Sequence, residues 1–265
     1  MIPAPVRYAR ARDVDDALAL LAEPDARALA GGQSLLPVMK LRIARPSLVV
    51  DISHIGLVGI ELRSDAIHIG PLTTWDALAE SGELERPALR ALAECARDIG
   101  DLQVRNRGTV GGSLAHADPA SDLPAVLLAL DAAVVVRSAE GERDVTVDDL
   151  LVGPFTTALG PSELIVDVVV PLPVQGSGSA YVSVEHPASG FALAGAAASV
   201  GPNGERVAVT GIAARPFLVS DHGDPAGDTE VFGDRFAPAD YRRRLAIVLV
   251  ERALERARKL AEEDR

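Results

Sequence analysis

Apolar residues at Val14, Ala17, Leu18 and Leu21 recur with the 3.6-residue period of a helix, with Asp13 placed to cap it and Pro24-Asp25 to end it. A short strand over 27–30 then runs into Gly31-Gly32, an apolar stretch covers 35–41, and a second run over 48–52 is bounded by Pro46 and Ser53. Strand, helix and strand in that order predict a small parallel unit. From about residue 59 the texture shifts to shorter alternating runs such as Ala66-Ile67-His68-Ile69. They surround a helix over 87–99, with Leu89, Leu92, Ala96 and Ile99 on one face and Gly100 beyond its end. A further helix is expected from Pro119, capped by Asp118, and strands over 133–136 and 164–170. Pro171-Leu172-Pro173 and Gly176-Ser177-Gly178-Ser179 read as a linker, so a domain boundary falls near 175.

Beyond it, 181–184, 193–200 and 207–212 read as antiparallel strands, with Asn203-Gly204 turning between the last two. Residues 221–228 form an aperiodic loop, and a closing helix starts near Ala239 with Leu245, Val248, Leu249 and Ala253 inward. Its Arg242-Arg243-Arg244 run reads as a solvated face or, alternatively, a partner contact.

Length and composition narrow the classes: 265 residues, 48% apolar and 24% charged, describe a folded chain of one or two domains. The single cysteine, Cys95, rules out an intrachain disulfide and a thiolate set for zinc or iron–sulfur, and its apolar helical face predicts a buried, inert thiol. The five histidines fall at no metal-binding spacing. A formal charge of −12 opposes a nucleic-acid backbone, so any anionic ligand needs a local device to hold it. The apolar stretch 123–136 is broken by Pro124 and Asp131, and Met1-Ile2-Pro3-Ala4-Pro5 lacks the regions of a signal peptide. The expectation is a soluble cytoplasmic protein without membrane insertion.

Two glycine pairs carry the candidate chemistry. Ala30-Gly31-Gly32-Gln33-Ser34-Leu35 reads either as a strand-to-helix turn with Ser34 as N-cap or as a nest of backbone N–H groups for phosphate oxygens. Thr109-Val110-Gly111-Gly112-Ser113 precedes Asp118-Pro119 and Asp122, and reads either as a glycine turn before a capped helix or as a second phosphate loop. Two such loops can embrace one long diphosphate ligand. Neither GxGxxG nor GxxxxGK[ST] occurs, so the ordinary dinucleotide fold and the P-loop lack support. His116 is open to a cofactor contact or a structural role, and Trp75 to core packing.

Residues 30–42, Ala-Gly-Gly-Gln-Ser-Leu-Leu-Pro-Val-Met-Lys-Leu-Arg, with Asp51-Ile52 following, resemble the first flavin loop of the FAD-binding medium subunits of molybdenum hydroxylases. These are the carbon monoxide, xanthine and aldehyde dehydrogenase type enzymes. Residues 99–119, which contain Arg-Asn-Arg-Gly-Thr-Val-Gly-Gly-Ser-Leu-Ala-His-Ala-Asp-Pro, resemble the second. The likeness spans about 1–220 and resumes at 234–253. It implies an α+β fold: a two-subdomain PCMH-type domain, like vanillyl-alcohol oxidase and MurB, over 1–174 (subdomains about 1–56 and 57–174). A small domain of antiparallel sheet plus helix follows over 175–265.

On that template Gly31, Gly32, Gln33, Ser34 and Leu35, with Thr109, Val110, Gly111, Gly112 and Ser113, hold the diphosphate and nearby ribityl atoms of a non-covalent FAD. Leu29 and Ala30 lead into the first loop as further contacts, Asp122 reaches a polar edge, Ile99 lies beside the adenine half, and Leu164 or Ile165 packs on the isoalloxazine. Read as residues alone, Ile99, Leu164 and Ile165 are ordinary core positions. Two departures stand out: Ser183 and Gly190 replace the basic and acidic residues of many relatives, and the chain is shortened after Phe217. The implied function is electron transfer within a complex whose iron–sulfur small subunit and molybdenum-binding large subunit carry the other cofactors. The competing classes are a flavin-free scaffold of the same fold and a stand-alone flavin oxidoreductase.

Overall fold

The computed structural model describes residues 2–265. Its first unit contains β1 (Arg7–Arg10), α1 (Val14–Leu21), β2 (Ala26–Leu29), α2 (Leu35–Lys40) and β3 (Leu48–Asp51). The strands form an all-parallel sheet in the order β1-β3-β2. Asp13 caps α1 by accepting the Asp16 N–H, as its position predicts. β1 carries little apolar signal, and only its pairing with the fully buried β3 makes it a strand.

The second unit runs through β4 (Ile60–Leu62), β5 (Ala66–Ile69), α3 (Trp75–Ala79), α4 (Arg90–Asp98), α5 (Leu102–Arg105), α6 (Val110–His116) and α7 (Leu123–Ala129). It continues with β6 (Ala133–Ser138), β7 (Gly141–Thr146), α8 (Val147–Leu150), β8 (Leu151–Gly153), β9 (Thr156–Thr157) and β10 (Leu164–Pro171). An antiparallel sheet of order β4-β5-β10-β6-β7 backs it. Two expected boundaries move. The 87–99 helix starts only at Arg90, after a turn at Pro87–Leu89. No helix starts at Pro119: Asp118 accepts the Ala120 N–H within a turn, and α7 begins four residues later with Asp122 at its N-cap position. Every residue of α7 is buried, because the helix has neighbours on all sides.

The third unit is a meander of β11 (Gly178–Glu185), β12 (Ala192–Gly201), β13 (Gly204–Thr210) and β14 (Phe217–Leu218), closed by α9 (Ala239–Glu263). β12 reads Ala-Leu-Ala-Gly-Ala-Ala-Ala-Ser because helices cover both of its faces. Ala194, Ala196 and Ala198 meet Leu249 and Ala253 of α9, while Ala197 joins the second unit's core. Small side chains let both layers approach closely. Along α9, Leu249 and Ala253 are buried as expected, but Val248 faces solvent.

Arg242 also departs from the solvated-face reading. It is buried, donating to the carbonyls of Leu193 and Gly211 at 2.6 Å each and pairing with Asp234 at 2.7 Å. Four hydrogen bonds from its guanidinium, one of them to Ala237 O, tie the 234–237 loop to the sheet, where a lysine would satisfy fewer acceptors.

Candidate cofactor site

The cavity lies at the seam of the first two units, since Leu164 packs into the core of the first and Ile165 into that of the second. It encloses about 800 Å³, within the range of cofactor pockets. Leu29, Ala30, Gly31, Gly32, Gln33, Ser34 and Leu35 line it from the first unit. Ile99, Thr109, Gly111, Gly112, Ser113, Asp122, Leu164 and Ile165 line it from the second. Val110 does not: it is fully buried in the core beneath α6.

The two glycine pairs are built differently. In the first, Gly32 has φ +75°, and the backbone amides of Gly31, Gly32, Gln33, Ser34 and Leu35 donate to no acceptor among the described residues. Ser34 occupies the N-cap position of α2, yet its hydroxyl caps nothing. Five successive free donors beside a cavity form an anion nest. In the second, Gly111 and Gly112 lie inside the first turn of α6 rather than in a loop before it. Val110 N–H donates to Thr73 O, Gly111 N–H to Pro71 O, Gly112 N–H to the Thr109 hydroxyl and Ser113 N–H to Thr109 O. That pair therefore contributes shape, with both of its donors already spent.

Gly31 lets the two walls touch, and Gly111 and Gly108 allow close packing within the second. A Cβ on Gly31 would sit 1.9 Å from the Arg107 carbonyl oxygen, one on Gly111 2.4 Å from Pro71 Cβ, and one on Gly108 2.6 Å from the Trp75 ring. Trp75 is thus both core and wall. Gly112 differs, since its Cβ would meet the Thr109 hydroxyl at 2.6 Å and nothing else nearer than Ala30 at 3.8 Å.

Two carboxyl groups stand behind these walls. Burial alone would raise Asp51, but hydrogen bonds from the Ser53 hydroxyl and amide and from the Tyr8 hydroxyl, with Arg10 nearby, bring it down to about 2. Asp122 goes the other way: burial pushes it up to about 7 despite a hydrogen bond from the buried Tyr181 hydroxyl. Gly195 makes room for that hydroxyl, because a Cβ there would lie 2.2 Å from it. Burial likewise holds the Cys95 thiol well above its ordinary value, in keeping with an inert role.

Sequence reasoning missed Tyr181 and Phe155 at the site. Tyr181 is separated from Asp122 by 59 residues, and no local pattern announces the pair. Phe155 lines the cavity together with His116 and Phe191. Gly190 also lines it, whereas Ser183 does not. Among the described residues no group of three or more His, Cys, Asp or Glu could hold a metal ion, and no helix is long and apolar enough to cross a membrane.

An anion nest opening into a cavity of about 800 Å³ at the seam of the first two units fits a protein that binds a phosphate-bearing cofactor. Residues 4–173 match the family described as the FAD binding domain in molybdopterin dehydrogenase, and the chain belongs to that family. The carbon monoxide dehydrogenase medium chain of Afipia carboxidovorans is 36% identical over 97% of this chain and 98% of that one. The 6-hydroxypseudooxynicotine dehydrogenase complex subunit alpha of Paenarthrobacter nicotinovorans is 45% identical over 76% of this chain and 68% of its own. Among solved structures, the Cu,Mo-CO dehydrogenase in its cyanide-inactivated form contains a chain that superposes with a TM-score of 0.92. It is 35% identical, with 98% of this chain and 100% of that one covered. The protein is therefore an FAD-binding medium subunit of the molybdenum hydroxylase type, and its class is oxidoreductase.

Proposed function

We propose that this chain holds one FAD non-covalently and passes electrons from the iron–sulfur clusters of a small partner subunit to an external acceptor. A molybdenum-binding large subunit oxidises the substrate, and the complex works in the cytoplasm. The observation that carries the reading is the row of five free amides from Gly31 to Leu35 opening into the cavity. Such a row fits a diphosphate: its donors are preorganised, and a bound anion satisfies groups that otherwise have no protein partner. When bound, the flavin supplies the redox chemistry.

The chain's own residues bind and shape. Gly112 leaves the α6 wall without a side chain, Thr109 holds the first turn of that helix, and Ile99 and Leu164–Ile165 supply apolar surface at separate points of the cavity. Asp122 at about 7 is a carboxyl that can keep its proton near neutrality, so it can donate a hydrogen bond to a polar edge of the cofactor as well as accept one. On this reading residues 1–174 hold the cofactor, and 175–265 supply Tyr181 and the covering sheet.

The test has two parts. The flavin released by denaturing the purified protein is expected to be FAD, with none attached to the chain. Recovery of FMN alone, or a colourless protein that takes up no FAD, would defeat the cofactor assignment. Mild purification from the native cells is expected to bring down a cysteine-rich iron–sulfur chain and a larger molybdenum chain. Substrate oxidation by the isolated polypeptide would instead favour a stand-alone enzyme.

A further inference from the structure

Phe155 is the second central residue of the two-residue turn joining β8 to β9, after Pro154, and its φ is +52°. Turns of this kind favour glycine at that position, and a bulky residue there is a genuine backbone outlier. The conformation is pinned from outside. The Phe155 N–H donates to Ala117 O at 2.9 Å, and Ala117, which ends α6, is itself left-handed at φ +50°.

The strained backbone does not serve to bury the ring. Phe155 is 60% exposed, leans on His116 with ring centroids 5.2 Å apart, and lines the cavity with it. Strain that the surroundings over-determine, at a position facing a ligand space, marks function rather than stability. The N-terminal end of α6 is tied to Thr73 and Pro71, beside Gly108, and its C-terminal end carries His116 against Phe155. Phe155 thus stands at the opposite end of α6 from Gly108, beside which Val104 and Gly100 lie.

We propose that Phe155, backed by His116, is a contact platform for the isoalloxazine ring of FAD. The proposal rests on the reading of the chain as an FAD subunit and adds a residue to it. The ring's uncovered apolar surface is what a flat aromatic ligand would remove from water, and ring pairs gain further from offset or edge-on contact.

Phe155→Gly separates the two roles, because it relieves the backbone while deleting the ring. In the full chain stripped of flavin, Phe155→Gly is expected to melt at or above the wild-type temperature. Its affinity for added FAD is expected to fall about tenfold. At saturating FAD, its flavin fluorescence is expected to rise above wild type. Phe155→Tyr restores both affinity and quenching. Wild-type affinity and emission in Phe155→Gly would overturn the proposal, including when partner chains are lost from that variant, which would mark a docking surface. A lower melting temperature in the stripped Phe155→Gly chain would also overturn it, by making the ring structural. Failure of the wild-type chain to take up FAD would defeat this proposal and the functional reading together, whereas equal uptake by both chains defeats this one alone.

Discussion

The same dipeptide does opposite work in the two walls of the cavity. Gly31-Gly32 leaves a row of amides unpaired and stands near Asp51, whose carboxyl is held at about 2. Gly111-Gly112 sits in a helical turn whose amides are all taken, above a carboxyl at Asp122 raised to about 7. One wall is a donor surface beside a carboxylate whose negative charge is held by hydrogen bonds from Ser53 and Tyr8. The other is a smooth surface beside a group that can shed its charge. A glycine pair in a sequence is thus not one signal: its meaning depends on whether the flanking backbone is already hydrogen-bonded, which only the tertiary structure decides.

Gly31→Ala would break the comparison most severely, because its Cβ falls 1.9 Å from a backbone oxygen that cannot move aside alone. The two walls must separate, so a loss of about 3 kcal/mol in the stability of the stripped chain is expected, along with loss of FAD uptake. Gly112→Val is the contrast. Its side chain meets one hydroxyl and then open cavity, so circular dichroism stays native while FAD affinity falls about a hundredfold. Thermal melting beside flavin titration separates the two outcomes. Unchanged flavin occupancy in Gly112→Val would remove the second pair from the site.

The charge contrast is sharpened by Asp122→Asn, which retains an acceptor for the Tyr181 hydroxyl but cannot ionise. The folded chain holds the Asp122 proton up to about pH 7, whereas the unfolded chain releases it near 3.8. Stability from this group is therefore full below pH 4 and is lost as the pH rises to 7. The Asn variant should gain on wild type over that window, by on the order of 4 kcal/mol. Parallel melting curves of the two stripped chains from pH 4 to 8 would show the Asp122 carboxyl to be solvated instead.

What the sequence made legible follows the range of the forces involved. The α1 cap and the parallel first unit depend on neighbours a few residues apart, and periodicity finds them, whereas the turn expected at Asn203-Gly204 falls on Pro202-Asn203, with Gly204 already opening β13 opposite Gly201. The cavity walls were legible through the resemblance, with Val110 as an exception because a helix turns it inward between two wall residues. The start of α7 was misplaced because Asp118-Pro119 has good capping chemistry that a turn uses instead. Arg242 looked solvated because three arginines in a row carry no local sign of which one meets two buried carbonyls. Phe155 was invisible because its turn carries phenylalanine where local rules favour glycine.

The smallest expected effect tests the same contrast at the two helix starts. Thr109 and Ser34 both stand at N-cap positions, α6 and α2 respectively, but only Thr109 accepts a hydrogen bond there, from Gly112 N–H at 3.2 Å. Thr109→Val keeps the side-chain shape and deletes the acceptor, so the stripped chain should lose about 1 kcal/mol, and Thr109→Ser should recover most of it. Ser34→Ala removes a hydroxyl that caps nothing, so the stripped chain should melt within about 0.5 kcal/mol of wild type. Because Ser34 lines the cavity, any effect of that change belongs to FAD affinity instead. Equal destabilisation by Thr109→Val and Ser34→Ala in the absence of flavin would show that the first wall is capped after all, and the division between a donor surface and a shaped surface would fall.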